Sequence, residues 1–374
     1  MIHSEVPIPV YFTKFNEDID EIVREISEGS SKKLETAGAS MIKKISESGF
    51  QVVVSGTHSP KKDSKIPIIQ GELIPKKSSS TKPSEEGHPV ILITTQIKNF
   101  GVTSIEPTNY DASVLFALAE QLSKLYNQAS SSPKYRIIFM LHESGSLLNF
   151  QGAKKFLDVN LEETNFVNPE FVLCLDSIVE YDELFMHVSK PIQTSSGPVS
   201  RFYEILKKKA DQYQKPTKET SVEVVHSKIN LADTFFKWAH ERFSMRRFAA
   251  FTISSIKSHA NPIRTTIFNE VKSTDANKQS TSVQENIETK TKILAEALAS
   301  YIFQQTDEGA SEVFSERIDV HPYISPQSMS KSNNIKRTFD KFLKNVKQYS
   351  EKPDTIDPEF MFYDGEEAVL NVYK

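Results

Sequence analysis

Short apolar runs alternate with amphipathic stretches through the middle of the chain. PVILITT at 89–95 is a continuous apolar run of strand length. A helical pattern over 111–127 (DASVLFALAEQLSKLYN) follows it, then a strand over 135–142 (YRIIFMLH). A helix over 150–159 leads to a strand at 171–177 (FVLCLDS) and another at 184–189. A helix over 198–214 precedes SVEVVH at 221–226, and a helical stretch over 231–243 precedes FAAFTIS at 248–254. A long helix over 283–304 closes the block. Buried apolar strands separated by amphipathic helices predict the α/β class, a three-layer α/β/α sandwich on a mixed, mainly parallel sheet.

The flanks are less regular. VPIPVYF at 6–12 reads as extended chain broken by two prolines. Residues 17–29 read as a short helix ending at Gly29. Over 31–48, Leu34, Ala37, Met41, Ile42 and Ile45 have helical spacing, with Gly49 as the stop. QVVVSG at 51–56 is β-rich, and KIPIIQGELIP at 65–75 predicts a second strand, placed at an edge by Pro67. The stretch 75–88 is a polar Ser/Lys/Pro loop. After Gln305 the pattern weakens, and 306–332 reads as loop. Residues 333–349 (NNIKRTFDKFLKNVKQY) predict a basic amphipathic helix with Ile335, Phe339, Phe342 and Val346 packed inward. Such a helix can also lie on anionic headgroups or on a partner. The expected division is 1–30, an α/β domain over 31–305, and a C-terminal extension over 306–374 that carries the basic helix.

Composition narrows the function. The 374 residues make one large domain or two modest ones. Lys plus Arg number 45 and Asp plus Glu 49, so the net charge of -4 argues against a nucleic-acid binder. Only 12 residues are glycine, and neither G-x-G-x-x-G nor a P-loop occurs. The lone cysteine, Cys174, excludes an internal disulfide and a Cys-rich zinc module. It lies mid-strand and reads as a buried, inert thiol. No N-x-S/T sequon occurs, and no apolar run approaches the ~20 residues that span a bilayer.

Several residues could carry chemistry. Asp176 ends the strand FVLCLD, where ligands gather in open α/β sheets, or else it caps the following turn. His142 and Glu143 end RIIFML and could be a base or metal ligand, or simply begin a loop. Glu106 lies in a polar loop, and Asp111 reads as the N-cap of its helix. His259 lies in the loop KSHANP, and His187 reads as structural. His240 is in HERF, which lacks the second histidine of H-E-x-x-H. No G-x-S-x-G elbow supports a serine nucleophile. The stretch from Trp238 to Phe248 is a candidate interface, or a core segment exposing only Arg242, Arg246 and Arg247.

Further segments carry a family resemblance. They are VPIPVYF, GFQVVVSG at 49–56, NFQGAKKFL at 149–157, FVLCLDS, HVSKP at 187–191, KINLAD at 228–233, WAHERFSMRRFAAFTIS at 238–254 and DPEFMFYD at 357–364. Collinear over nearly the whole chain, they resemble the nicalin family, a nicastrin-like branch of the M28 zinc-peptidase superfamily. In the peptidases two metal ions sit at the C-terminal ends of the central strands. The resemblance places Gln96, Ile97 and Lys98 where those enzymes begin with His-x-Asp. Gln96 is a poor zinc ligand, and Lys98 puts a cation in the metal's place. Glu106 corresponds to the bridging aspartate, His142–Glu143 or Glu143–Ser144 to the paired glutamates, Asp176 to the strand-end aspartate, and His259 to the last histidine. A hydrolytic zinc needs about three protein ligands and an open position for water. The resemblance therefore implies a degenerate, non-catalytic site with no metal and no other cofactor. The alternative is a residual zinc-dependent aminopeptidase with Glu143 as base and Glu106, Asp176 and His259 as ligands. A third reading is a peptide or small-ligand binder whose cleft is lined by Phe100, Asp176 and His259.

Nicalin-like proteins are type I membrane proteins of the endoplasmic reticulum with a large luminal domain. The resemblance implies a scaffold subunit of a complex with the Nodal modulator protein and a small polytopic membrane protein. That complex works beside the ribosome-bound translocon during insertion of multi-pass membrane proteins and restrains Nodal-type signalling. The resemblance also implies a signal peptide and further luminal sequence before residue 6, and a transmembrane helix beyond DPEFMFYD. On that expectation the chain is incomplete, residues 1–30 are the remnant of an N-terminal luminal region, and the membrane helix lies outside the chain.

Overall fold

The computed structural model describes residues 16–28, 51–55, 65–75, 88–97, 110–128, 133–143, 145–162, 166, 169–192, 197–213, 221–233, 235–261, 264, 276–304, 318, 332–352 and 369–373. The chain divides into two compact units, one over 65–359 and one formed by 2–64 with 360–374.

The second unit contains helix α1 (Glu17–Glu28) and strand β1 (Gln51–Ser55). In it β1 pairs antiparallel with β10 (Val369–Tyr373), a strand the sequence pattern did not reveal.

The larger unit is built on β2 (Ile66–Leu73), β3 (Val90–Gln96), β4 (Arg136–His142), β5 (Phe171–Leu175), β6 (Leu184–Val188), β7 (Val222–His226), β8 (Ala250–Ser254) and β9 (Lys344–Glu351). Its sheet runs β7-β6-β8-β5-β3-β4-β2-β9. The centre, β8-β5-β3-β4, is parallel, and β6 and β2 join it antiparallel on either side. The helices are α2 (Tyr110–Asn127), α3 (Gln151–Glu162), α4 (Pro198–Gln212), α5 (His240–Met245), α6 (Ala276–Phe303) and α7 (Ser332–Phe342). The three-layer α/β sandwich predicted from the apolar runs is borne out.

The pleat explains the layers. Alternate residues of a strand face opposite sides. Ile91 and Ile93 of β3 join the core made with α2, α4, α6 and α7. Val90 and Leu92 join the opposite core with Phe150, Phe156 and Phe243. Every residue of β3 and β5 is buried, so both strands read as unbroken apolar runs. Between α4 and α6, Lys209 and Glu296 form an ion pair of 3.6 Å with both side chains fully buried. Tyr213 also donates its hydroxyl to Glu296.

Three expectations are corrected. The basic helix does not run to residue 349. It ends at Phe342, and 344–351 become β9, antiparallel to β2. Ile335 and Phe339 are buried as expected, and Phe342 and Val346 pack on the same core. Val346 does so from a strand, so its helical spacing was coincidental. Pro67 does not mark an edge, because β2 lies between β4 and β9. Its carbonyl accepts the Glu143 N–H, just past the last β4 pairing of Ile68 with His142. The missing proline N–H faces the same way, where β4 has ended. The stretch 231–243 is helical only from His240, because Asn230 folds the chain into a turn by accepting the Ala232 N–H on its side chain and the Asp233 N–H on its carbonyl.

The readings for 6–12, 31–48, 306–317, 319–331 and DPEFMFYD, and most of that for 75–88, lie outside the described residues. Among the described residues, no helix is long and apolar enough to cross a membrane.

Phe339 is fully buried, with its ring edge-on to Phe116 at 5.1 Å. Phe339→Ala is expected to lower the stability of this unit by about 3–5 kcal/mol in urea unfolding. An unchanged midpoint would contradict the packing of α7 on α2.

Candidate functional site

The parallel strands deliver Gln96, His142 and Asp176 to one end of the sheet, as the last residues of β3 and β4 and the first after β5. Asp176 continues the ladder by donating its N–H to Ile253. The next residue, Ser177, turns sharply with φ 54°. Its N–H and that of Ile178 both donate to the Asp111 carboxylate, at 2.7 and 2.8 Å. Asp111 is therefore not the cap of its own helix. The chain is already helical at Tyr110, and the Asp111 carboxylate reaches across to cap the turn after β5. The loop beyond is held by Lys290 of α6, which donates to the carbonyls of Ile178, Tyr181 and Glu183.

Asp176 is 1% exposed and meets Arg264, itself 5% exposed. The arginine Nη2 lies 2.7 Å from Oδ2, and Nε lies 3.2 Å from both carboxylate oxygens. The Ser177 hydroxyl adds a bond of 3.0 Å to Oδ1. The remaining guanidinium donors go to backbone: Nη1 to the His259 carbonyl at 2.9 Å and Nη2 to the Lys237 carbonyl at 3.0 Å. The guanidinium carbon lies 3.9 Å from the centre of the Trp238 ring. Trp238 also stacks on His187, with centroids 3.8 Å apart.

His187 and His240 are both buried. His187 Nε2 donates to the Ile256 carbonyl at 2.8 Å, and burial pushes its pKa down to about 4. His240 bonds the Thr252 hydroxyl through Nδ1 at 2.9 Å, and burial, then His187, push it down to about 3. Beside them burial raises Glu241 to about 7, although Glu241 accepts the Lys237 N–H at 3.0 Å. Cys174 is buried, and burial pushes its thiol up, as its place in β5 suggested.

Among the described residues, the other predicted positions lie as follows. Gln96 is buried, and its Oε1 makes no hydrogen bond. Two glycines close over the strand ends. A Cβ on Gly145 would stand 3.3 Å from the Gln96 carboxamide, and one on Gly152 would stand 2.7–2.8 Å from the His142 side chain. Glu143 is half-buried and bonds Pro67 through its N–H. His259 is exposed, and it is its carbonyl that meets Arg264. Burial, then Lys237 and Arg264, push its ring pKa down. Lys98, Phe100 and Glu106 lie outside the described residues. Among the described residues, no group of three or more His, Cys, Asp or Glu could hold a metal ion. Among the described residues, Gln96 is an amide and Asp176 is occupied by a guanidinium, so neither suits zinc.

Arg264 was missed by sequence reasoning. The available signal was a basic residue five positions after His259. In the stretch from Trp238 to Phe248, Trp238 and Phe243 are core. Arg242 is not exposed as expected. It is partly buried, donates to the Asn149 carbonyl at 2.9 Å and lies 4.3 Å from the Phe236 ring centre. Arg246 and Arg247 are exposed, and Arg246 pairs with Asp158 at 3.1 Å.

No family model matches the chain. The human protein "BOS complex subunit NCLN" is 30% identical over 405 residues, which cover all of this chain and 68% of that protein. The chain belongs to the nicalin family. The zebrafish protein "BOS complex subunit ncln" is 29% identical over 413 residues and covered to 70%. Among solved structures, the gamma-secretase component nicastrin superposes with a TM-score of 0.54 at 10% identity, over 96% of this chain and 77% of that one. That likeness is one of fold. The resemblance to the nicalin family read from WAHERF and its neighbours is thus confirmed.

Two predictions follow from the packing and charge of this nicalin-family site. Gly152→Ala is expected to destabilise by about 1–3 kcal/mol, because its methyl meets the His142 ring, while Gly145→Ala is milder. Chemical denaturation of both variants checks the order, and equal stabilities would contradict it. The second concerns pH. Unfolded imidazoles protonate near 6.5, whereas folded His187 and His240 stay neutral to about 4 and about 3. The stability present above pH 6.5 is therefore lost as pH falls toward 4, on the order of 3 kcal/mol for His187 alone. Glu241 works oppositely: its folded pKa of about 7 lies above the unfolded value, so it adds stability below that value and loses it as pH rises through 7. Glu241→Gln should therefore raise the thermal midpoint at pH 8 and steepen its fall on acidification. A variant curve parallel to wild type would contradict this.

Proposed function

We propose that the chain is a non-catalytic scaffold subunit of the BOS complex, its sheet a rigid platform for partner subunits. The observation that carries this reading is the Asp176–Arg264 ion pair. A metal-activated hydrolase needs its strand-end carboxylate turned toward a metal and an open position for water. Here that carboxylate faces a fixed guanidinium, in a nicalin-family chain whose relatives are named as complex subunits. A divalent ion beside the guanidinium would meet like charge in a buried, low-dielectric setting.

The finer reading follows the family. The chain is the luminal domain of an endoplasmic reticulum membrane protein. Its partners are the Nodal modulator protein and a small polytopic membrane protein, and it works beside the ribosome-bound translocon during insertion of multi-pass proteins and restrains Nodal-type signalling. The support is the family relationship, together with a fold that offers surface loops on a rigid sheet and no assembled metal centre among its described residues.

The test uses the protein expressed in cells together with the Nodal modulator protein. His259→Ala is expected to co-purify the Nodal modulator protein as wild type does. Neither protein is expected to release amino acids from peptides when supplied with zinc. Chelator-sensitive turnover abolished by Glu143→Gln, or loss of the complex in folded His259→Ala, would sink the reading.

A further inference from the structure

A buried carboxylate requires compensating charge or donors, and Asp176 receives both from one side chain. We infer that the Arg264 guanidinium is the permanent cation of this site, taking over the organising part that a bound metal would play and making this end of the fold independent of metal. The inference goes beyond the proposed function, since it holds whichever partners the surface meets.

The geometry supports it at four places in the chain. Arg264 draws in the residue after β5 through Asp176, the segment before α5 through the Lys237 carbonyl, and the segment after β8 through the His259 carbonyl. Its own carbonyl accepts the Ser146 hydroxyl at 3.1 Å, from the loop after β4. Trp238 lies against the guanidinium and adds a cation–π contact. A metal would collect these loops through acidic and imidazole side chains. The guanidinium collects them through one carboxylate and two backbone carbonyls, which every residue type supplies. The requirement on side chains shrinks to Asp176 and Arg264. Gln96 can then be an amide, and the His259 ring can face solvent.

Arginine suits the part better than lysine. Its planar fork carries five donors in fixed directions and stays charged when buried. Nε and Nη2 meet Asp176, while Nη1 and Nη2 reach the two carbonyls. A lysine ammonium is a compact point charge and does not reproduce this spread.

The experiment is thermal unfolding of the purified chain, followed by far-UV circular dichroism and by the fluorescence of Trp238, the lone tryptophan. The wild-type midpoint is expected to be the same, within about 1 °C, with chelator and with added zinc, against the several degrees by which losing a bound structural ion would lower it. Arg264→Met and Asp176→Asn each leave a buried charge uncompensated and should lower the midpoint by about 5 °C or more. The double variant, with both charges removed, should recover at least half of the larger single loss. His259→Ala should leave the midpoint unchanged. A wild-type midpoint that falls with chelator or rises with zinc would overturn the inference. So would a double variant that loses the sum of the two single losses. If a single variant does not fold, the wild-type chelator measurement and the double variant still decide.

Discussion

A carboxylate at the end of a buried β-strand is the constraint around which this end of the molecule is arranged. Asp176 cannot face water, and leaving its charge uncompensated would cost several kcal/mol. Arg264 removes that cost by meeting it along one edge of the fork. The pair then fixes what surrounds it. Trp238 lies under the guanidinium, His187 stacks on Trp238, and His187 in turn holds the Ile256 carbonyl. The turn after β5 is secured independently by Asp111, and the loop beyond it by Lys290. Around Asp176 and Arg264 this end of the sheet is a hydrogen-bonded network packed against aromatic rings.

That network has consequences for function. Open α/β sheets bind ligands beyond the carboxyl ends of their strands because helix ends and loops leave polar groups unpaired there. In this chain Asp111, Asp176 and Arg264 use their polar groups on one another's loops, and Gly145 and Gly152 bring backbone down onto Gln96 and His142. What remains at the surface are the outer parts of the loops, including exposed Tyr181, Leu231 and His259. Such an arrangement accords with the proposed scaffold role.

Much of the fold was legible because the central strands are buried on both faces. PVILITT, YRIIFMLH and FVLCLDS have no polar alternation to confuse with a helix, and their helices carry clear apolar stripes. The edges were not legible. Strand β9 is mostly solvent-facing, and its Lys344, Lys347 and Gln348 give no strand signal. The spacing of Phe339, Phe342 and Val346 there imitates a helix. The turn at Asn230 was hidden because exposed Leu231 and buried Trp238 together imitate an apolar helical pattern. At the site, Asp176 could be singled out from its strand, and His187 and His240 are structural. Arg264 could not be, because it lies 88 residues from Asp176 and only the folded chain pairs them. Asp111 was misread for the same reason, since its partners lie 66 and 67 residues away.

The central claim is that the strand-end carboxylate already has its cation and leaves no place for a metal. Elemental mass spectrometry of the purified, folded chain, after zinc exposure and desalting, addresses it directly. The account predicts zinc far below one equivalent per chain, and no difference between wild type and His259→Ala. One or two equivalents of zinc, lost on His259→Ala, would contradict it and return the chain to the metallopeptidases.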